Sequence, residues 1–161
     1  LDNAGRVLSS PQLNAANGIR PDVFNAAGTV AFSALANGVR GVFSLTVGSL
    51  DPVTVAMPGD LTSTGAPIVS VGSVVAGVNE NGWVLFSATT AAGQGLFIGS
   101  AGGTATKVAQ VGDPAPGGGT FAGFGTTPMP AMDLKSRTGF HVTPFCRLGA
   151  TAWPGLTSSS V

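Results

Sequence analysis

The chain has 161 residues, with seven acidic and seven basic side chains and a formal net charge of zero. This balance argues against a nucleic-acid partner and against electrostatic docking on anionic lipid, because both require a basic surface. Twenty-five glycines and no tyrosine, with many Ala, Val, Ser and Thr residues, are typical of a β-rich chain with many tight turns. Cys146 is the single cysteine, which excludes an intrachain disulfide, and no apolar run is long enough to insert into a membrane as a helix.

One fixed spacing is the strongest pattern in the sequence. Three phenylalanines lie 54 residues apart, and so do three glycines, Gly41, Gly95 and Gly149. The repeated motif positions are Asn25, Gly28 and Phe32 in the first copy, Asn79, Gly82 and Phe86 in the second, and Phe140 in the third. A constant period of this length, here a 54-residue one, indicates a repeat protein.

Residues 1–23 form an N-terminal part-repeat in this register. Gly5 then matches Gly59, and Gly18 matches Gly72, so the segment corresponds to the last part of a repeat. An alternative interpretation takes residues 2–5 as one more Asn/Asp-x-x-Gly turn. The 54-residue register favours the first interpretation.

Residues 24–77 are the first whole repeat. Asn25 and Gly28 predict a turn, because Asn hydrogen-bonds its own backbone and Gly adopts positive φ. Residues 30–34 alternate and predict a strand with Phe32 in the core. The Asn37-Gly38 pair predicts a hairpin into a strand at residues 42–47. Further strands are expected at residues 53–57 and 67–75.

Residues 78–131 repeat this order, and residues 132–161 are a partial third repeat. A hairpin is expected at residues 92–95 and a strand at residues 104–111. Phe121 and Phe124 match Ile68 and Val71 of the first repeat. The third repeat lacks a little less than half of its length, and the N-terminal part-repeat is about as long as the missing piece. We therefore expect residues 1–23 to complete a third repeat, within one chain or in a neighbouring copy.

These patterns predict one all-β domain over residues 1–161, made of about three 54-residue repeats of short antiparallel strands. Four strands per repeat are typical of a propeller blade. A β-trefoil-like fold and a β-sandwich are the alternatives. No helix is predicted.

Residues 79–88 and 111–121 carry the motif most clearly, as Asn-x-x-Gly-x-Val-x-Phe-x-Ala and Val-Gly-Asp-Pro-Ala-Pro. With its weaker copies the motif covers most of residues 24–140 and resembles bacterial tandem-repeat proteins with Asn-x-x-Gly-x-x-x-Phe units. Such proteins are typically exported and surface-anchored. The resemblance implies an exported β-repeat protein and carries no catalytic residues with it.

Few side chains predict chemistry. Asp60 and Asp113 follow glycines at matching positions, which indicates turn-capping carboxylates rather than metal ligands, because neither has a second acid within three residues. His141 and Cys146 could pair as base and nucleophile, but no third group orients them. The glycines at residues 93–99 and 117–119 do not open a helix, so they do not form a phosphate loop. We predict no enzyme, no cofactor and no metal.

Trp83 and Leu85 are the candidate partner contacts. They alternate with Val84 and Phe86, so they should lie on the face opposite the phenylalanines. Either a neighbouring repeat covers them or they form a contact for a partner, and a sugar stacking on Trp83 is a further alternative. Trp153 is a third candidate. The partial third repeat is locally basic, because it carries Lys135, Arg137 and Arg147 and only one acid nearby, Asp133. Such a charge pattern is typical of a solvated rim or of an interface between copies.

The prediction for function is an extracellular or cell-surface structural subunit. Sparse charge and the two part-repeats predict head-to-tail self-assembly into a fibre or ring by N-terminal strand complementation. Its partners would be other copies of the chain. The alternative is a monomeric surface module that binds a glycan or another ligand.

Overall fold

The computed structural model describes residues 1–12, 24–116 and 118–124. These residues form eight β-strands and no helix, which confirms the all-β prediction. The strands are β1 (Leu8–Gln12), β2 (Thr29–Ala36), β3 (Val39–Thr46), β4 (Val53–Ala56), β5 (Ile68–Val78), β6 (Val84–Thr90), β7 (Gly93–Gly99) and β8 (Thr106–Gln110).

The strands form two four-stranded antiparallel sheets, each a meander in chain order. The first sheet has the order β1-β2-β3-β4 and the second the order β5-β6-β7-β8. β5 was predicted within the first repeat, yet it pairs with β6 and so begins the second sheet. Each sheet therefore starts one strand before its Asn-x-x-Gly turn, and β1 occupies that place in the first sheet. The predicted completion of a third repeat by residues 1–23 involves residues outside the described part and stays a prediction.

The hairpin between β2 and β3 follows the sequence closely. Asn37 and Gly38 both have positive φ, at 49° and 83°. Two positive φ values define the type I′ turn, whose twist matches that of the flanking strands. The predicted hairpin at Asn37-Gly38 is confirmed.

The two sheets lie face to face across a shared apolar core. That core contains Ala31 and Val42 from the first sheet and Val75, Phe86 and Phe97 from the second. The far face of the first sheet carries a second cluster around Phe32 and Phe43, and the far face of the second sheet carries a third around Leu85 and Leu96. Apolar clusters thus cover both faces of both sheets.

Burial on both faces departs from the simple alternation that the sequence predicted. Phe32 and Phe86 are buried as expected, at 8% and 0% exposure. Ala31 and Ser33, on the opposite face of β2, are also 0% exposed. Along β2, the face that meets the second sheet carries the small side chains of Ala31 and Ser33, whereas the opposite face carries Val30 and Phe32.

Equivalent positions of the two sheets make equivalent contacts. The side that the second sheet turns toward the first contains Ile68, Val84, Phe86, Ala88 and Phe97. The matching residues of the first sheet form its outer cluster and are Leu8, Val30, Phe32, Ala34 and Phe43. The outer cluster of the second sheet likewise matches positions of the first sheet that face the shared core. Each sheet therefore has the same two kinds of face, turned in the same direction.

Residues 2–6 correct the register predicted for the N-terminal segment. Asp2 N–H donates to the carbonyl of Arg6 and Gly5 N–H to that of Asp2, and Thr62 to Ala66 make the same pair of bonds. Gly5 thus matches Gly65 and not Gly59. The alternative interpretation of residues 2–5 as a further turn is the correct one. The spacing between these two turns exceeds the repeat period because the chain is longer between β1 and β2 than between β5 and β6.

Candidate functional site

The two Asn-x-x-Gly motifs form nearly identical turns immediately before β2 and β6. In the first, Asn25 Oδ1 accepts a hydrogen bond from Thr29 N–H at 2.8 Å. In the second, Asn79 Oδ1 accepts from Trp83 N–H at 2.9 Å. Gly28 and Gly82 complete the turns with positive φ, at 74° and 76°. The motif is therefore a structural turn, as its residue types predict.

The same two turns also contact each other across the sheets. Asn25 Nδ2 donates to the carbonyl oxygen of Asn79 at 2.8 Å, in a buried hydrogen bond that spans one full repeat period of the sequence. Beside it, Ala26 N–H donates to Oε1 of the exposed Glu80 at 3.4 Å. Both asparagines are buried, at 7% and 4% exposure. Sequence analysis missed this link, although the identical residue at the repeat spacing was a signal for it.

Asp60 and Asp113 close two further turns. Asp60 Oδ2 accepts from Met57 N–H at 2.7 Å, and Asp113 Oδ2 accepts from Gln110 N–H at 2.8 Å. The Lys107 ammonium, 2.8 Å from Asp113, lowers the pKa of that carboxyl group; burial opposes this shift and the Gln110 N–H supports it. Within the described residues, no three His, Cys, Asp or Glu side chains are grouped to hold a metal ion.

Trp83 and Leu85 have different surroundings. Leu85 lies on the face of β6 opposite to that of Phe86, as predicted, and is 1% exposed. It packs in a cluster with Leu96, Ile98, Val108 and Phe124. Trp83 is 38% exposed and sits at the end of its turn, before β6. The structure thus gives Leu85 an intramolecular contact, whereas partner contact through Trp83 stays a prediction.

The hydrogen bond between Gly59 and Ile68 recurs between Gly112 and Phe121. Gly59 N–H donates to the carbonyl of Ile68, and Gly112 N–H donates to the carbonyl of Phe121. This confirms the predicted match of Phe121 with Ile68. Val71 packs in the core between the two sheets. Phe124, its counterpart one repeat later, packs against the outer cluster of the second sheet.

The N-terminal segment, residues 1–12, holds a buried and paired carboxylate, that of Asp2. The Asp2 carboxylate forms an ion pair with the Arg6 guanidinium at 2.6 Å, and its side chain is 0% exposed. Asp2 Oδ1 also accepts from the N–H groups of Ala4 and Arg6. Burial alone would raise the pKa of Asp2, but the hydrogen bonds from Arg6 and Ala4 outweigh it and hold the pKa below its ordinary value.

This segment contacts three parts of the first sheet. Arg6 reaches the Thr54 hydroxyl on β4, and Asn3 N–H donates to the carbonyl of Pro52 at 2.9 Å. Val7 exchanges hydrogen bonds with Asn37 at the β2–β3 hairpin. β1 then pairs along β2. Sequence analysis did not identify the Asp2–Arg6 pair, because the 54-residue register assigned these residues to another part of the repeat.

Several predicted residues lie outside the described part of the chain. They are Asp133, Lys135, Arg137, Phe140, His141, Cys146, Arg147, Gly149 and Trp153. The glycines of residues 93–99 lie in β7, which excludes the phosphate-loop interpretation there.

Over the residues that the structure describes, the fold and its turns define an all-β protein with two equivalent four-stranded sheets. The chain belongs to DUF7453, a family of unknown function whose sequence profile matches residues 7–144. No curated protein and no solved structure matches the chain significantly. The described residues contain no helix of the length and apolarity needed to cross a membrane.

Proposed function

We propose that the protein is an extracellular structural subunit that self-assembles by exchanging its N-terminal strand. The observation that carries the proposal is the placement of β1 at the edge of the first sheet, where it pairs with β2. Residues 13–28, sixteen in all, lie between β1 and β2 in the sequence. Sixteen residues can span up to roughly 50 Å, enough to reach a neighbouring molecule.

The contacts of residues 1–12 suit a strand that another copy could supply. Main-chain pairing with β2 gives affinity, and the side chains of Leu8 and Arg6 give register. If each copy donates β1 to the next, the contact is heterologous and produces a ring or a fibre. The finer architecture that we propose is three propeller-blade-like units, each one repeat period long.

Low net charge and the resemblance to exported repeat proteins support the extracellular location. Labelling of intact producing cells with an antibody against the protein tests this part. Staining that appears only after the cells are permeabilised contradicts it.

A cysteine cross-link between copies tests the exchange. Ser9 and Leu35 face each other across β1 and β2. In a Cys146→Ser background, one tagged copy carries Ser9→Cys and a differently tagged copy carries Leu35→Cys. Co-expression should give a disulfide that joins the two tags. Thr29→Cys and Thr46→Cys, which face each other within the β2–β3 hairpin, are the matched control and should not join separate copies.

Light scattering of the unmodified chain completes the test. We expect assemblies larger than a monomer, and we expect deletion of residues 1–12 to abolish them. A synthetic peptide of residues 1–12 should bind the truncated chain. Cross-linking only when both cysteines share one chain, or assembly that survives the deletion, would contradict the proposal.

A second candidate function is a monomeric module that binds a glycan, for which the 38% exposure of Trp83 is the supporting observation. An exposed indole offers a flat apolar surface for sugar stacking. Titration of tryptophan fluorescence with oligosaccharides should then give a saturable change that Trp83→Ala removes. A change that persists in Trp83→Ala would contradict a site at this residue.

A further inference from the structure

The Asn25 side chain uses both ends of its amide. Its oxygen closes its own turn by accepting from Thr29 N–H, and its nitrogen donates to the carbonyl of Asn79 in the next turn. Both bonds are 2.8 Å long. One buried side chain thus connects the turn that begins the first sheet's β2 to the turn that begins the second sheet's β6.

We propose that Asn25 helps to fix the register between the two sheets, at the point where the turn before β2 meets the turn before β6. Ser33 Oγ, which donates to the carbonyl of Ser73, and Gly102 N–H, which donates to the carbonyl of Thr54, are further hydrogen bonds between the sheets. The shared core consists of Ala, Val, Ile and Phe side chains, whose burial is favourable but non-directional. Such a core specifies the lateral position of one sheet on the other only weakly. A buried directional hydrogen bond specifies it strongly, because the misaligned state would leave the amide or the carbonyl unpaired.

The proposal explains why asparagine stands at this position. Asparagine carries an acceptor and a donor at the required length. Aspartate has the same shape but, when ionised, only accepts. Serine can close the turn through its hydroxyl group but is shorter. This role concerns contacts within one chain and does not depend on strand exchange.

Thermal unfolding of Asn25→Asp, Asn25→Ser and Asn37→Asp tests the proposal. Asn37 is an exposed asparagine whose Oδ1 also accepts from a backbone N–H, that of Val7. It is therefore a matched control for the acceptor half of the amide. At pH 7 we expect Asn25→Asp to lower Tm by roughly 4–8 °C and Asn37→Asp to change it by less than about 1 °C.

The pH dependence of Tm for Asn25→Asp distinguishes a role of Asn25 between the sheets from a role in its own turn alone. A protonated carboxyl group can donate its O–H to the Asn79 carbonyl, so the Tm difference between Asn25→Asp and wild type should shrink at about pH 3. The deficit of Asn25→Ser should not shrink. Glu80 is the charged group next to this contact, and it is present in both proteins that are compared at each pH.

Amide exchange in the unmodified protein provides a second measurement that needs no variant to fold. The Nδ2 protons of Asn25 should exchange slowly, and those of Asn37 fast. Fast exchange at Asn25 would overturn the proposal. So would equal Tm changes for Asn25→Asp and Asn37→Asp, or an Asn25→Asp deficit that is the same at both pH values.

Discussion

At the scale of single residues, the repeated glycines of β3 and β7 are explained by packing. Gly41 and Gly95 lie beneath the rings of Phe43 and Phe97, two residues further along the same strands. A Cβ added at Gly95 would lie 2.8 Å from the carbonyl oxygen of Ala109 and 3.0 Å from the Phe97 ring. Neither glycine has positive φ, so the glycine period reflects close approach rather than turn geometry.

Gly95→Ala should therefore destabilise the protein by about 1–3 kcal/mol, because the β8 backbone cannot move aside without losing its pairing with β7. Gly123→Ala is the control, since a Cβ there meets nothing within 4 Å. It should stay within about 0.5 kcal/mol of wild type. Urea unfolding measures both. Equal stability of the two variants would refute the packing explanation.

At the scale of the element, the sequence predicted most strands but not the attachment of β1. Asn37-Gly38 specifies its hairpin through two positive φ values, and Phe32 and Phe86 set the phase of β2 and β6. The burial of Ala31 and Ser33 could not be predicted from the residues around them in the sequence, because the second sheet covers them. Gly5 was assigned to the wrong register because the length of the β1–β2 connection breaks the period.

Acid should release the N-terminal segment. The folded pKa of Asp2 lies below its unfolded value of about 3.9. The ionised carboxylate therefore stabilises the attached segment above that value, and this contribution is lost as the pH falls through the folded pKa. The protection of the β1 amides, measured as the intrinsic exchange rate at each pH divided by the observed rate, should fall across this range.

Asp2→Asn is the matched control for this pH dependence. It retains an oxygen that can accept from Arg6 N–H but cannot titrate. The protection of the β1 amides should therefore be lower than in wild type at pH 7 and should change little on acidification. Asp113 has a pKa shifted in the same direction, but it lies beside β8 and should not affect β1. Equal pH dependence in wild type and Asp2→Asn would show that another group controls attachment.

At the scale of the whole molecule, matching positions carry residues of different size according to what covers them. Ala31 and Leu85 occupy the same place in β2 and β6, one repeat period apart. Ala31 faces the closely approaching second sheet, whereas Leu85 packs with Phe124. The sequence predicted two faces from the period, but only the structure shows that the second face of each sheet is also core.

Enlarging Ala31 or shortening Leu85 should lower the free energy of unfolding. Ala31→Leu overpacks the shared core and should cost about 1–3 kcal/mol. Leu85→Ala leaves a cavity and should cost about 2–5 kcal/mol. Val47→Ala, at a side chain that is 83% exposed, is the control and should be nearly neutral. Denaturant unfolding followed by circular dichroism measures all three, and a neutral Ala31→Leu would contradict the close approach of the sheets at β2.

The orientation shared by the two sheets has a consequence for how such a chain can change in length. The contact between the sheets joins the Ala31 face of the first to the Phe86 face of the second, and Phe124 packs on the outer face of the second sheet, the counterpart of the Ala31 face. Copying a segment of one period would add a layer whose two contacts are already encoded, without creating a new type of interface. Tandem duplication is therefore a change that this architecture tolerates, whereas loss of half a period would disrupt this order of faces.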